Sequence, residues 1–354
     1  MIKRIKIEKY LSEINWDEHL EPDIINLVVA PTGSGKTYSF VTNAPRDRNT
    51  AVVAPFTSIT EQIFLSNPDF SLQSGTKTLD KIDFSNGMIT SFHSSARLLE
   101  MNNIDLLVID ELHYLINYAG FAYGLINLFW KNVEILRKRF PHMKIVALTA
   151  TPHFVRLAEF LDMKPIIVEQ ETPTAKPSQI YVGRSWKNEF SKNTTFISLF
   201  PSKKIGQAWS RKYNGTYIDS ANKGTAAFQK IVEGKMPSKK VFTSTLLSTG
   251  VSITEPVDTV YTNWLSLTDI VQMSSRPRLG GHELKITQTA NPYYLKDGME
   301  KPDLNFTEDY EGNFKLLNDY ETWYSWRAHQ DETDLLSIVY QMLWRPDLPL
   351  PELE

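Results

Sequence analysis

The chain has 354 residues, enough for about two domains, and its 42% hydrophobic and 22% charged content is that of an ordinary globular protein. It has no cysteine, which excludes disulfides, thiolate zinc sites and cysteine nucleophiles and fits a reducing, cytoplasmic setting. The net charge is −3, but residues 295–354 hold 5 basic and 14 acidic side chains, so the tail is strongly acidic and the rest mildly basic. Such asymmetry is compatible with nucleic-acid contact by the body and equally with a solvated surface. No signal peptide is expected, and no apolar run is long enough to cross a membrane.

Residues 1–23 read as a preamble with a short helix around residues 7–14. The apolar run 24–29 reads as a buried strand, and Ala30-Pro31-Thr32-Gly33-Ser34-Gly35-Lys36-Thr37 follows it. Two glycines allow a tight turn in which several N–H groups face one anion. Lys36 then reaches the outer phosphates, and the Thr37 hydroxyl can hold Mg²⁺. Ala30 stands where the strict pattern has its first glycine. Pro31, Thr32, Gly33, Ser34, Gly35, Lys36 and Thr37 are the candidate nucleotide-binding residues. A helix should continue the loop.

Strands are expected at 51–55, 87–91, 106–109 and 144–148, with helices at 57–64, 92–101 and 119–140 between them. The fourth run ends in Asp110-Glu111-Leu112-His113 and the fifth in Thr149-Ala150-Thr151-Pro152. Strands alternating with helices imply an α/β fold with a parallel sheet, whose ligands bind beyond the carboxyl ends of the strands. Asp110 there can hold Mg²⁺, and Glu111 can orient and deprotonate an attacking water. An isolated Asp-Glu is also a common helix start. His113 is a polar relay in preference to a metal ligand, because no second His or Cys lies at ligand spacing.

Residues 172–178 have linker composition. Strands are expected again at 195–200, 216–219, 240–244, 259–262 and 284–287, with helices at 201–213, 221–234 and 267–275. From residue 291 the chain turns acidic and aromatic, with helical spacing over 310–344. The expected domains are 1–172, 178–290 and a mostly helical extension, 291–354. The extension is a packed appendage or a partner-binding arm for a replication or repair protein.

The order of Ala-Pro-Thr-Gly-Ser-Gly-Lys-Thr, Asp-Glu-Leu-His and Leu-Thr-Ala-Thr-Pro resembles the first RecA-like domain of superfamily 2 helicases, in their Asp-Glu-x-His group. Residues 53–57 resemble the early nucleic-acid-contact motif and residues 89–94 the later one. In the second domain, residues 199–204 resemble the fourth motif, 243–253 the fifth and 272–278 the sixth. The resemblance covers about residues 25–280 and implies two tandem RecA-like P-loop domains, with ATP and Mg²⁺ bound in the cleft between them. It implies that Gln272 and Arg276 face the nucleotide, that Arg276 and Arg278 act as arginine fingers, and that Gly250 approaches the nucleotide. It makes Thr149 and Thr151 the link between hydrolysis and nucleic-acid grip. Thr57, Ser58, Ser91, His93, Ser202, Lys203 and Thr245 are the implied nucleic-acid contacts, largely to phosphates and hence sequence-independent.

Three departures stand out. Met273 and Ser275 replace an arginine and a glycine of the sixth motif, and its second arginine comes one position early, at Arg278. The Gln-x-x-x-Arg-x-Arg spacing resembles compact viral origin-binding helicases and phage relatives, in which case the cytoplasm would be the host's. Ser252 stands where the fifth motif often has an acid. No glutamine-bearing base-reading motif precedes the phosphate loop, so nucleotide choice is expected to be loose. The implied function is a nucleic-acid-dependent ATPase acting as helicase or translocase on single-stranded or branched nucleic acid, DNA in preference to RNA. The alternatives are an ATP-switched clamp or loader with little unwinding, an RNA helicase, and an unrelated P-loop enzyme such as a nucleotide kinase.

Overall fold

A computed structural model describes all residues except 1, 46, 74–83, 85, 120–121, 123, 152–161, 173–174, 201, 223, 249–250, 264–265, 289–298, 308, 346–347, 349 and 354. The chain forms two compact units. The first comprises Met1–Thr172, Pro302–Tyr320 and Pro346–Pro349, and the second comprises Pro173–Lys301, Glu321–Arg345 and Leu350–Glu354.

The first unit is built on an eight-stranded sheet: β1 (Lys3–Ile7), β2 (Ile25–Val29), β3 (Thr50–Ala54), β4 (Ser71–Gln73), β5 (Met88–Ser91), β6 (Leu106–Ile109), β7 (Lys144–Thr149) and β8 (Met163–Gln170). The order across the sheet is β1-β8-β2-β7-β6-β3-β5-β4, and the pairings are parallel. The central strands are mostly apolar and buried because both faces are covered. Leu27, Val53, Leu107 and Ile145 enter one core, with Phe92, Phe129 and Phe314. Their neighbours Val28, Val52, Val108 and Val146 enter the other, with Trp16, Phe40 and Ile59. Successive side chains of a strand point to opposite faces, so an unbroken apolar run serves two cores.

Helices α1 (Thr57–Ser66), α2 (Tyr114–Ala119) and α3 (Leu125–Arg139) belong to this unit. The expected helix over 119–140 starts later, because its N-cap Gly124 has φ +78° and turns the chain. The segment 92–100 is a 3₁₀ helix. The short helix expected at 7–14 is replaced by β1, whose charges suit a sheet edge, and by one 3₁₀ turn, Leu11–Glu13. The Glu13 carboxylate makes that turn by accepting from the N–H groups of Glu8, Lys9 and Tyr10, at 2.9, 2.9 and 2.6 Å.

The second unit has a six-stranded sheet: β9 (Gln179–Gly183), β10 (Phe196–Leu199), β11 (Thr216–Ile218), β12 (Lys240–Thr243), β13 (Thr259–Asn263) and β14 (Glu283–Thr287). Its order is β11-β12-β10-β13-β14-β9, again with parallel pairings. Helices α4 (Lys203–Lys212), α5 (Ala226–Val232) and α6 (Leu267–Ser274) connect the strands. The core is unusually aromatic: Phe190, Phe196, Phe200, Phe242 and Tyr261 pack together, flanked by Trp186, Trp209 and Tyr213. Edge-to-face contacts dominate it, as at Phe190–Tyr261 with centroids 4.8 Å apart.

The tail forms α7 (Tyr310–Ala328) and α8 (Glu332–Trp344). The break between them is the N-cap Asp331, whose side chain accepts from Thr333 N and Asp334 N. Residues 302–320 pack with the first unit, where Glu311 accepts from Gly124 N at 2.7 Å, and residues 321–345 pack with the second. Among the described residues no helix is long and apolar enough to cross a membrane.

Candidate active site

The phosphate loop leaves β2 and enters a short helical segment that continues as a π-helix, Tyr38–Thr42. Gly33 and Gly35 both have left-handed φ, +83° and +82°, and the residues around them do not. This alternation turns successive N–H groups inward and makes an anion nest, a conformation a side chain at either position would strain. Pro31 O closes the loop by accepting from Ser34 N at 3.3 Å and Ser34 Oγ at 2.7 Å. Lys36 is buried, and its Nζ donates to Ala30 O and Pro31 O, both at 3.1 Å. An ammonium held on neutral carbonyls is ready to exchange them for phosphate oxygens, which bind it more strongly.

Asp110 sits beyond the end of β6, fixed by its N–H to Val53 O at 2.8 Å. Its Oδ2 accepts from Thr37 Oγ1 at 2.9 Å and its Oδ1 from Glu111 N at 3.0 Å. Burial, then the negative charge of Glu111, push the Asp110 carboxyl well above the usual carboxylate range, against the Thr37 bond and Lys36. A hydroxyl and a buried carboxylate side by side, in a place that penalises uncompensated negative charge, suit Mg²⁺, which takes few protein oxygens and keeps the rest for water and phosphate.

Glu111 has a left-handed backbone, φ +50°, which is uncommon for a residue with a side chain. Its Oε2 lies 3.4 Å from His113 Nδ1. The same His113 nitrogen is 3.5 Å from Thr149 Oγ1, which accepts from Thr151 N at 3.1 Å. One ring nitrogen of His113 therefore faces both the Glu111 carboxylate and the hydroxyl at the end of β7. Pro152 of the Thr-Ala-Thr-Pro motif lies outside the described residues.

Tyr10 is a residue that the sequence did not reveal. The turn made by Glu13 holds its half-exposed ring beside the phosphate loop: Leu11 N donates to Ser34 O at 2.9 Å, and a Cβ added at Gly35 would lie 3.8 Å from Tyr10 Cδ1. Trp16 braces this segment from behind, donating to Ser39 Oγ at 3.0 Å and packing on Phe40 with centroids 4.5 Å apart. The only local signal was the pattern of the Glu13 capping turn.

The first-unit residues expected at nucleic acid converge because β5 pairs with β3. Thr57 opens α1 after β3, and Ser91 and His93 follow β5. Tyr118 joins the two loops: its hydroxyl donates to Pro55 O, and its ring packs edge-on against His93 with centroids 5.3 Å apart. Ser91 Oγ lies 3.4 Å from Ser94 Oγ. The side chain of Ser58 lies outside the described set.

In the second unit Ser202, Lys203 and Thr245 follow the neighbouring strands β10 and β12. Ser202 Oγ caps α4 by accepting from Ile205 N at 3.5 Å, and Lys203 pairs with Asp219 at 2.7 Å. Gln272 and Arg276 lie one helical turn apart, and Arg276 Nη2 donates to Gln272 Oε1 at 2.8 Å. Arg276 Nη1 donates to Val251 O at 3.3 Å, and Arg278 Nε to Ser252 Oγ at 2.8 Å. Gln272 Nε2 is enclosed without a hydrogen-bond partner. Gly250 lies outside the described residues.

Residues 4–154 match the family described as the res subunit of type III restriction enzymes. Among curated proteins none matches the chain in sequence. Its fold is similar to that of Dbp5 from S. cerevisiae, solved bound to RNA and ADP BeF3, with a TM-score of 0.59 at 14% identity over 95% of this chain and 94% of that one. It is also similar to the DUF1998 helicase MrfA, solved bound to DNA and AMPPNP, with a TM-score of 0.52 at 17% identity over 74% of this chain and 46% of that one. The chain has the tandem RecA-like α/β fold.

Proposed function

We propose that the protein is a nucleic-acid-dependent ATPase of superfamily 2, acting as helicase or translocase. The observation that carries this reading is the Thr37–Asp110 bond of 2.9 Å beside the buried Lys36, which brings a phosphate nest and an Asp-Glu pair to one end of one parallel sheet. In this reading the nest N–H groups and Lys36 bind the β- and γ-phosphates of ATP, and Thr37 and Asp110 hold Mg²⁺. Bound Mg²⁺ supplies charge neutralisation at the phosphate oxygens. Glu111 orients the attacking water and takes its proton, and His113 keeps that carboxylate aimed. The second unit supplies Gln272 and Arg276, the arginine stabilising charge on the transferring phosphoryl group.

Tyr10 offers a face for the nucleobase. Stacking on a tyrosine accepts any base, which agrees with loose nucleotide choice. Thr57, Ser91 and His93 are the proposed strand contacts of the first unit, and Thr245 with Ser202 and Lys203 those of the second. The relay from Glu111 to Thr149 and Thr151 is the proposed link between hydrolysis and grip. DNA is the proposed strand, and residues 291–354 the proposed surface for a replication or repair partner.

The experiment that tests this is the ATPase rate of the full chain against single- and double-stranded DNA and RNA at one stated salt concentration. Stimulation by DNA above RNA is expected. Hydrolysis that ignores every nucleic acid refutes the function, and stimulation by RNA alone refutes the DNA assignment.

A further inference from the structure

The two departures of the fifth and sixth motifs, Ser252 and Arg278, lie in contact. Arg278 Nε donates to Ser252 Oγ at 2.8 Å, and both side chains are half-buried. The backbones around them are paired too. Ile253 N donates to Arg276 O and Arg278 N to Ile253 O, both at 2.8 Å, and Ile253 and Pro277 form a parallel bridge. On the far side the loop is pinned again, by Gly280 N to Pro277 O at 3.2 Å and Gly281 N to Lys176 O at 2.9 Å. Gly280 has φ +66°, and a Cβ there would meet Lys176 O at 3.1 Å. Arg278 therefore extends from a backbone held on both flanks, towards a serine on the segment that also receives Arg276 at Val251 O.

We infer that Arg278 is a positioning residue and that Arg276 is the arginine acting on phosphate. Ser252 and Arg278 form a clasp that fixes residues 251–253 against 276–278 and so sets where the Arg276 guanidinium stands. The two departures from the motifs thus meet in one hydrogen bond, the hydroxyl at 252 accepting from the guanidinium at 278. The catalytic part of this inference rests on the proposed function. The clasp itself does not.

The test is a double-mutant cycle on the full chain, with Ser252→Ala, Arg278→Ala and both together. Nucleic-acid-stimulated ATPase and urea unfolding without nucleotide are both measured. A hydrogen bond to a charged group predicts that each single variant loses roughly 10–100-fold in kcat and that the double variant loses no more than the worse single. KM for ATP should stay within about twofold, since no binding contact is removed. Ser252→Asp keeps an acceptor for the Arg278 guanidinium and should keep kcat near wild type, which general destabilisation would not do. Wild-type kcat in Ser252→Ala beside a loss of about 10³-fold or more in Arg278→Ala overturns the inference, because Arg278 would then act directly. Additive unfolding energies overturn the clasp. A wild-type chain without stimulated hydrolysis refutes the proposed function instead, and the unfolding cycle still reads the clasp.

Discussion

Replacing Glu111 by glutamine exchanges one carboxylate oxygen for an amide nitrogen and keeps the shape of the side chain. The Glu111 side chain is only 14% exposed, its Oε2 faces His113 Nδ1 at 3.4 Å, and its backbone is left-handed, with Glu111 N donating to Asp110 Oδ1. If Glu111 takes the proton of the attacking water, the amide removes general-base catalysis worth about 10²–10⁴ in rate. That is about 3–5 kcal/mol of barrier. ATP affinity should not fall. The charge of Glu111 is second only to burial in raising the Asp110 carboxyl, so its removal makes Asp110 ionise more readily and suits Mg²⁺·ATP better. Folding should change by no more than about 1–3 kcal/mol, the cost of one altered buried polar contact. The assay pairs single-turnover hydrolysis at saturating nucleic acid with equilibrium binding of a fluorescent ATP analogue. Turnover within tenfold of wild type removes Glu111 as base. Turnover and binding lost together give it a structural role in the phosphate loop.

Arg276→Ala should lower turnover by about 10³–10⁵, far more than it weakens ATP binding. Steady-state kinetics at varied ATP check this, and an unchanged kcat means that the second unit does not complete the site. Tyr10→Ala should raise KM for ATP, GTP, CTP and UTP alike, by about 5–100-fold for stacking worth ~1–3 kcal/mol, with kcat unchanged; a loss confined to ATP refutes a base-blind platform. His282 is buried, and burial lowers its pKa from 6.5 to about 4. Between those values the unfolded chain binds a proton that the folded chain does not, so this group costs stability as pH falls through that window and costs nothing above it. From pH 7 to pH 5 the loss is about 2 kcal/mol. Urea titrations of wild type and His282→Leu at both pH values should differ by that amount in their pH dependence, and parallel dependences refute it.

The strands most legible in the sequence are those buried on both faces. β2, β3, β6 and β7 are mostly apolar runs because alternate residues feed two cores. The strands that escaped reading are β1, β4 and β8 on the flanks of the first sheet and β9 at an edge of the second. β1 alternates charge with apolar residues at a sheet edge, and β4 is three residues long at the opposite edge. β8 carries Pro165, which normally argues against a strand, yet it pairs opposite Leu27 one strand in from the sheet edge. The one-residue change from helix to turn at Gly124 depends on a positive φ that other residues rarely adopt, but a lone glycine inside an apolar helical pattern carries little weight.

The chemistry of the site divides in the same physical way. Lys36, Thr37 and Asp110 were legible because each lies within a short motif whose local backbone decides its geometry. Tyr10 was not, because its place is set by a capped turn and by Leu11 N bonding to Ser34 O, 23 residues on along the chain. The proposed strand contacts fall between these cases. A hydroxyl after a strand end is legible as a candidate, but its other duties are not. Ser202 already caps a helix and Lys203 already pairs with Asp219, so phosphate must displace a bond at each. Thr57 and His93 instead belong to loops that adjacent strands deliver to one place and that Tyr118 fastens together. Binding at Ser202 and Lys203 has to exchange existing partners, so each should add less to affinity than a full charge-assisted bond.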